Sequence, residues 1–368
     1  MNRLAVFSFV LIYTLASYGL SFSQPTPLKA DTARIFPHPT WQSVDASSQG
    51  WNRRQLAQLS QFIRDSAQTT GMLIIHQGYV VFTYGNVEEV SYIASCRKSI
   101  LAMLYGPFVE SGRIQLDQPI EQLGLDDIGG LLPIEKQATI RHLLTARSGV
   151  YHPASNSGDN SVMAPPRGSR PPGSFWLYNN WDFNVTGSIL EQQTEQSIYE
   201  LIDSLLAKPL QMQDWHRDRQ QKHGDTTLSR YPAYHMWFST RDMARLGYLM
   251  LRRGNWQGQQ VVPACWIKTI TSVVTPYPEA LAHHTNYFTF GYGYLWWIWD
   301  MASSPTELQG AYTASGAYGQ FITVVPKMDV VIAHKTSADN HRRNTPTEMY
   351  LQIVNRVVAA GTMPNTTR

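Results

Sequence analysis

Strand-forming patterns in this chain are confined to its two ends, and the stretch from Ser95 to about Tyr231 carries almost none. Near the start, residues 72–75 and 79–82 (Met-Leu-Ile-Ile and Tyr-Val-Val-Phe) flank His76-Gln77-Gly78, the pattern of a hairpin. Near the end, residues 288–299, 320–325 and 329–334 read as strands, the last two joined by a Pro326-Lys327-Met328 turn. Between these ends lie helical stretches at 95–111, 140–146, 184–193 and 197–206, then 240–253 and 263–275. A helix over 53–68, with Leu56, Leu59, Phe62 and Ile63 on one face, precedes the hairpin, and another over 346–360 closes the chain. The expected fold is therefore α/β (α+β): a mostly antiparallel sheet flanked by helices, with a helical block inserted. The division that follows is an arm at 24–52, the α/β part at 53–94 and 235–368, and the helical domain at 95–234. Residues 151–174, rich in Gly, Pro, Asn and Ser, form a loop long enough to serve function.

Composition narrows the class. Basic residues exceed acidic ones by only +3 and no basic stripe is present, so nucleic acid is not an expected partner. Two cysteines, no CxxC and no HExxH leave neither a disulfide framework nor a zinc motif; Cys96 and Cys265 are expected as unlinked, buried thiols. No metal or cofactor is expected. The first residues read as a secretory signal: Arg3, an apolar run over 4–22, and Ser21-Phe22-Ser23 before a cut at Gln24. The competing reading is an uncleaved anchor, disfavoured by the polar residues in the run and by the lack of a following Lys/Arg cluster. The expectation is a secreted or periplasmic protein, cleaved after Ser23, with no stable membrane insertion afterwards; its oligomeric state is left open.

Three short elements can carry chemistry. In Ser95-Cys96-Arg97-Lys98, i and i+3 share one helix face, so Lys98 can take the proton of the Ser95 hydroxyl if burial favours its neutral form. At a helix start the Ser95 N–H is also available to an oxyanion. The plain alternative is a capping serine with an exposed lysine. In Tyr178-Asn179-Asn180, a phenol can relay a proton and an amide can hold a substrate carbonyl; the alternative is a turn with a core tyrosine. In Ser315-Gly316-Ala317-Tyr318-Gly319-Gln320, glycines at a strand start permit close backbone approach, and an edge strand offers a second N–H; the alternative is a bulge or hairpin turn.

Taken together, Ser-x-x-Lys, Tyr-x-Asn and a Gly-containing edge strand resemble the penicillin-recognising serine hydrolases, in the branch of class C β-lactamases, D-alanyl-D-alanine carboxypeptidases, esterases and 6-aminohexanoate-oligomer hydrolases. The resemblance runs from Met72 to Thr336. It includes Gly112-Arg113-Ile114-Gln115-Leu116-Asp117, residues 141–150 (Arg-His-Leu-Leu-Thr-Ala-Arg-Ser-Gly-Val), residues 238–245 and Tyr292-Gly293-Tyr294-Leu295-Trp296-Trp297. It implies a β-lactamase-like fold in which Ser95 is the acylated nucleophile, Lys98 its base and Tyr178 the second proton-transfer residue. Asn180, Ser315 and Gly316 would contact substrate, and the N–H groups of Ser95 and Ala317 would form the oxyanion hole. The family's Lys-Thr-Gly box falls on Ala314-Ser315-Gly316, so the cation that positions acidic acyl donors is missing. Its absence is expected to weaken carboxylate-bearing substrates by roughly ten- to a hundredfold.

The reading is an exported serine hydrolase acting on a small ester, amide or peptide-like substrate. A D,D-peptidase or β-lactamase is the first alternative, and a non-catalytic binding protein on the same fold is the second. Asp339, His341 and His142 invite a Ser-His-Asp reading, but no G-x-S-x-G elbow anchors it. His283-His284 read as solvated loop histidines, and Asn184-Val185-Thr186 is a glycosylation sequon. Of the tryptophans, Trp176, Trp181, Trp237, Trp296 and Trp297 are expected mainly in the core, with Trp176 and Trp181 placed to line an acyl pocket.

Overall fold

The hydrophobic pattern of the two chain ends resolves into one eight-stranded sheet. The structure, a computed structural model, describes residues 35–156, 161–282, 290–337 and 343–361. In chain order the first elements are β1 (Gln42–Ser43), α1 (Arg53–Ser66), β2 (Gly71–His76), β3 (Tyr79–Gly85), β4 (Ser91–Tyr92) and α2 (Cys96–Glu110). Next come α3 (Ile140–Leu144), α4 (Asn180–Thr194), α5 (Ile198–Ile202), β5 (Gln221–His223), β6 (Ala233–His235) and β7 (Trp237–Phe238). They are followed by α6 (Thr240–Leu251), β8 (Asn255–Trp256), β9 (Gln259–Gln260), α7 (Ala264–Ile270), α8 (Tyr277–Ala282), β10 (Gly291–Tyr292) and β11 (Trp297–Ile298). The chain then forms β12 (Tyr312–Gly316), β13 (Gln320–Val325), β14 (Val330–Lys335) and α9 (Thr347–Gly361).

The sheet order is β1-β3-β2-β14-β13-β12-β11-β10. All ladders are antiparallel except β1 on β3. The N-terminal hairpin therefore zips onto the last strand, with Ile74 opposite Ile332. The paired strands β2 and β14 are buried along nearly their whole length, as strands covered on both faces must be. On one face, Phe321 of β13 stacks on Tyr350 of α9 at 3.8 Å, and α9 packs against α1. On the other face, α6 lies over β13 and β14, where Gly247 leaves room for Val331 and Ile322. The α2 helix abuts β12 on this side and is buried almost all round, which explains why its sequence shows no amphipathic stripe.

Several expectations are corrected. The segment read as a strand over 288–299 is a short hairpin, β10–β11, whose described part turns through Leu295 at φ 60°. β12 is not the edge strand; Thr313 and Tyr312 pair with β11, while Ala314–Gly316 have no partner on that side among the described residues. The Ser315–Gln320 motif does not start a strand but spans the β12–β13 turn, with Tyr318 and Gly319 in the left-handed region at φ 67° and 96°. Part of the arm joins the sheet as β1, because its backbone can extend the edge at β3. Cys265 is exposed rather than buried; Cys96 is buried, and burial pushes its thiol well up. Two small strands, β5 and β6, also interrupt the helical region. No helix among the described residues is long and apolar enough to cross a membrane. His283, His284, Asp339, His341 and the segment read as a signal lie outside the described residues.

Candidate active site

The turn into α2 sets the first residue. Ala94 holds φ 48°, a conformation costing an L-residue roughly 1–2 kcal/mol, and this bend carries the chain from β4 directly into the helix start. Ser95 sits at the N-cap without using its hydroxyl to cap the helix, so the plain capping reading does not hold. Nor is Lys98 exposed: it is 2% accessible, one turn along the same face. Its Nζ donates to Ser95 Oγ at 3.1 Å, to Tyr178 Oη at 2.7 Å and to Asn180 Oδ1 at 2.8 Å.

The second motif reaches this amine from about 80 residues away. Asn179, not Asn180, is the N-cap of α4, its Oδ1 accepting from Trp181 N and its Nδ2 donating to Val150 O. The buried Asp182 accepts from Asn179 and from the Ser148 hydroxyl; burial raises its carboxyl well above the usual range. This bracing leaves Tyr178 and Asn180 facing α2. The helix predicted from Asn184 thus begins one turn earlier, at Asn180. Burial raises the Tyr178 phenol, while its hydrogen bond with Ser95 and the charge of Arg97 pull the other way. Aromatic rings fix the phenol: it stacks on Trp297 at 5.3 Å and meets Phe183 at 4.8 Å.

The third motif is tied to the first by a backbone contact. A Cβ on Gly316 would lie 2.5 Å from Ile93 O, 3.0 Å from Ser95 N and 3.1 Å from Cys96 N, so only glycine lets β12 approach the helix start. Ala317 follows directly and is exposed. Neither the Ser95 nor the Ala317 N–H donates to a backbone acceptor among the described residues. Two N–H donors beside a serine hydroxyl suit a developing oxyanion. Ala314 is fully buried on the same side of β12 as Gly316; Ser315 leaves the strand on the other side and is 9% accessible.

Other residues fall elsewhere. His142 Nδ1 accepts from Thr139 N in a capping box, which commits the ring to the start of α3. Asn184 is buried in α4, so the sequon is closed to a glycan. Trp176 is buried against Tyr292 and Trp297, and Trp181 donates to Asp127, so both are core residues. Among the described residues no cluster of three His, Cys, Asp or Glu is placed to hold a metal ion. Sequence reasoning missed Arg97, which is 2% accessible with its guanidinium 4.6 Å from the Tyr234 ring. It also missed Phe183 and the stacking role of Trp297. For Phe183 a signal existed, since it lies three residues after Asn180 on one helix face.

Residues 57–352 match the sequence model of the family described as Beta-lactamase. An uncharacterized protein of Alkalihalophilus pseudofirmus is 26% identical over 262 residues, which cover 65% of this chain and 71% of the relative. Among solved structures, a putative 6-aminohexanoate-dimer hydrolase from Bacillus anthracis superposes with a TM-score of 0.60 at 19% identity, covering 89% of each chain. A hydrolase with promiscuous acyltransferase activity, EstCE1, gives 0.59 at 16% identity, covering 85% of this chain and 99% of its own. At these identities the structural likenesses establish the fold.

Proposed function

Because the chain belongs to the β-lactamase family, we propose that it is a serine hydrolase cleaving an ester or amide through an acyl-enzyme on Ser95. The observation that carries this reading is the contact of one buried amine, Lys98 Nζ, with Ser95 Oγ, Tyr178 Oη and Asn180 Oδ1. A neutral lysine in that position accepts the Ser95 proton while donating to the other two, and the phenol is within reach to pass a proton onward.

In acylation, Ser95 Oγ attacks the substrate carbonyl carbon as its proton passes to the Lys98–Tyr178 pair. The carbonyl oxygen takes the negative charge against the N–H groups of Ser95 and Ala317. The tetrahedral adduct then collapses, the bond to the leaving group breaks, and the departing oxygen or nitrogen receives the proton from Tyr178. In deacylation the same pair removes a proton from water, the hydroxide adds to the acyl carbon, and Ser95 Oγ leaves with the proton returned to it. Each half-reaction restores the proton count. Asn180 holds Lys98 and is within reach of a substrate amide or carbonyl.

One further point supports neutral esters and amides over β-lactams. Ala314 leaves the third box without a cation for a substrate carboxylate. Export after removal of residues 1–23 is part of the same proposal, and N-terminal sequencing of the mature protein tests it. The test of the chemistry is Ser95→Ala. The variant is expected to lose hydrolysis of a p-nitrophenyl acyl ester and labelling by a fluorophosphonate while melting like the wild type. Retention of more than a few percent of turnover would refute Ser95 as nucleophile.

A further inference from the structure

The Lys98 amine meets aromatic ring faces as well as oxygen atoms. Its oxygen partners include Ser95 at the start of α2 and Tyr178 and Asn180 at the start of α4, and two aromatic ring faces also approach it. Nζ lies 4.1 Å from the centroid of the Tyr178 ring and 4.4 Å from that of Phe183. Phe183 is fully buried and meets Tyr178 at 4.8 Å. The geometry repeats across the helix pair: Ser95 and Lys98 stand three apart on α2, and Asn180 and Phe183 stand three apart on α4. The amide and the phenyl ring therefore address the same ammonium from successive turns of one helix.

We propose that Phe183 is a positioning residue of the proton relay, its ring face holding the ammonium form of Lys98 against Ser95, Tyr178 and Asn180. A phenyl face attracts a cation and does little for a neutral amine, so the ring biases which protonation state of Lys98 prevails. It thereby sets the pH at which the amine becomes free to accept the serine proton. This inference rests on the hydrolase reading for its meaning but not for its measurement.

Other groups around the relay act in known directions. On α2, Arg97 is a like charge that disfavours the ammonium, and Cys96 is kept neutral by burial. From β6 and β10 the phenols of Tyr234 and Tyr292 are raised by burial and stay uncharged, and Asp182 on α4 is held toward its neutral form. Tyr178 itself is raised by burial. None of these changes when the ring at 183 is altered without changing its shape.

The experiment is a titration of the lysine side-chain carbons by 13C NMR in the full chain, with Lys98 assigned by the signal missing from Lys98→Arg. Phe183→Leu removes the π face and is expected to lower the Lys98 midpoint by about 0.4–1.5 pH units. Replacing Phe183 site-specifically by mono-, di- and trifluorophenylalanine keeps the packing while weakening the face, and the midpoint is expected to fall stepwise along that series. The acid limb of the ester kcat/KM profile should move with it. A midpoint unmoved across the fluorinated series overturns the proposal whether or not Phe183→Leu folds. Wild-type protein without Ser95-dependent hydrolysis would defeat the functional reading instead, and the NMR series would still decide this one.

Discussion

Gly316→Ala is the perturbation that most directly probes how the two halves of the site are joined. The added Cβ would stand 2.5 Å from Ile93 O and 3.0 Å from Ser95 N, both backbone atoms that cannot swing aside. A carbon and a carbonyl oxygen need about 3.2 Å or more, so β12 and the start of α2 must separate by roughly 0.5–0.7 Å, with the strain of overpacking costing about 1–3 kcal/mol. The same shift carries the Ala317 N–H away from the Ser95 N–H. An oxyanion held at about 2.9 Å by both donors would then sit near 3.4 Å from one of them, beyond a useful hydrogen bond. Losing one oxyanion donor lowers kcat by about 10²–10³. The expected outcome is a folded protein with a modestly reduced Tm and ester turnover down by at least a hundredfold with little change in KM. Steady-state kinetics with a short p-nitrophenyl ester, beside a thermal melt, measures all of this. A variant turning over within threefold of the wild type would refute the role assigned to this contact.

Lys98→Ala and Tyr178→Phe are each expected to slow acylation, and the double variant to lose little more, because the two share one relay; pre-steady-state acylation rates that multiply would contradict this. Hydrolysis of a short neutral ester is expected to exceed that of a cephalosporin by orders of magnitude in kcat/KM, and efficient cephalosporin opening by the wild type would remove the significance given to Ala314. His334 Nδ1 donates to Gly319 O at 2.9 Å, so in the neutral ring Nε2 accepts from the Thr69 hydroxyl at 2.7 Å. Burial lowers this imidazole from 6.5 to about 4. Between those values the unfolded chain binds the extra proton, so stability rises with pH across that window and about 3 kcal/mol is lost once pH falls below it. Denaturant unfolding at pH 4.5, 5.5 and 7 should show this slope and His334→Gln should flatten it; an equal slope in the variant would count against the assignment.

What the sequence by itself determined is local. The spacing of Ser95 and Lys98 on a helix, the turn chemistry at His76-Gln77-Gly78, the apolar faces of α1 and α9, and the placing of the main sheet's strands at the chain ends all follow from patterns a few residues long. Such patterns survive folding because they describe one element's own geometry. Only the tertiary structure decided which partner each residue meets. Tyr178 and Asn180 are 80 and 82 residues from the amine they contact, and no periodicity encodes that distance. Arg97 reads like any helix charge until it is found buried beside the Tyr234 ring, and Phe183 reads like core until its ring is found over Lys98. The broken strand at 290–299, the exposure of Cys265 and the interior place of β12 were missed for the same reason. Burial, strand order and ring contacts are set by surfaces brought together from distant parts of the chain, and a local pattern carries no record of what will cover it.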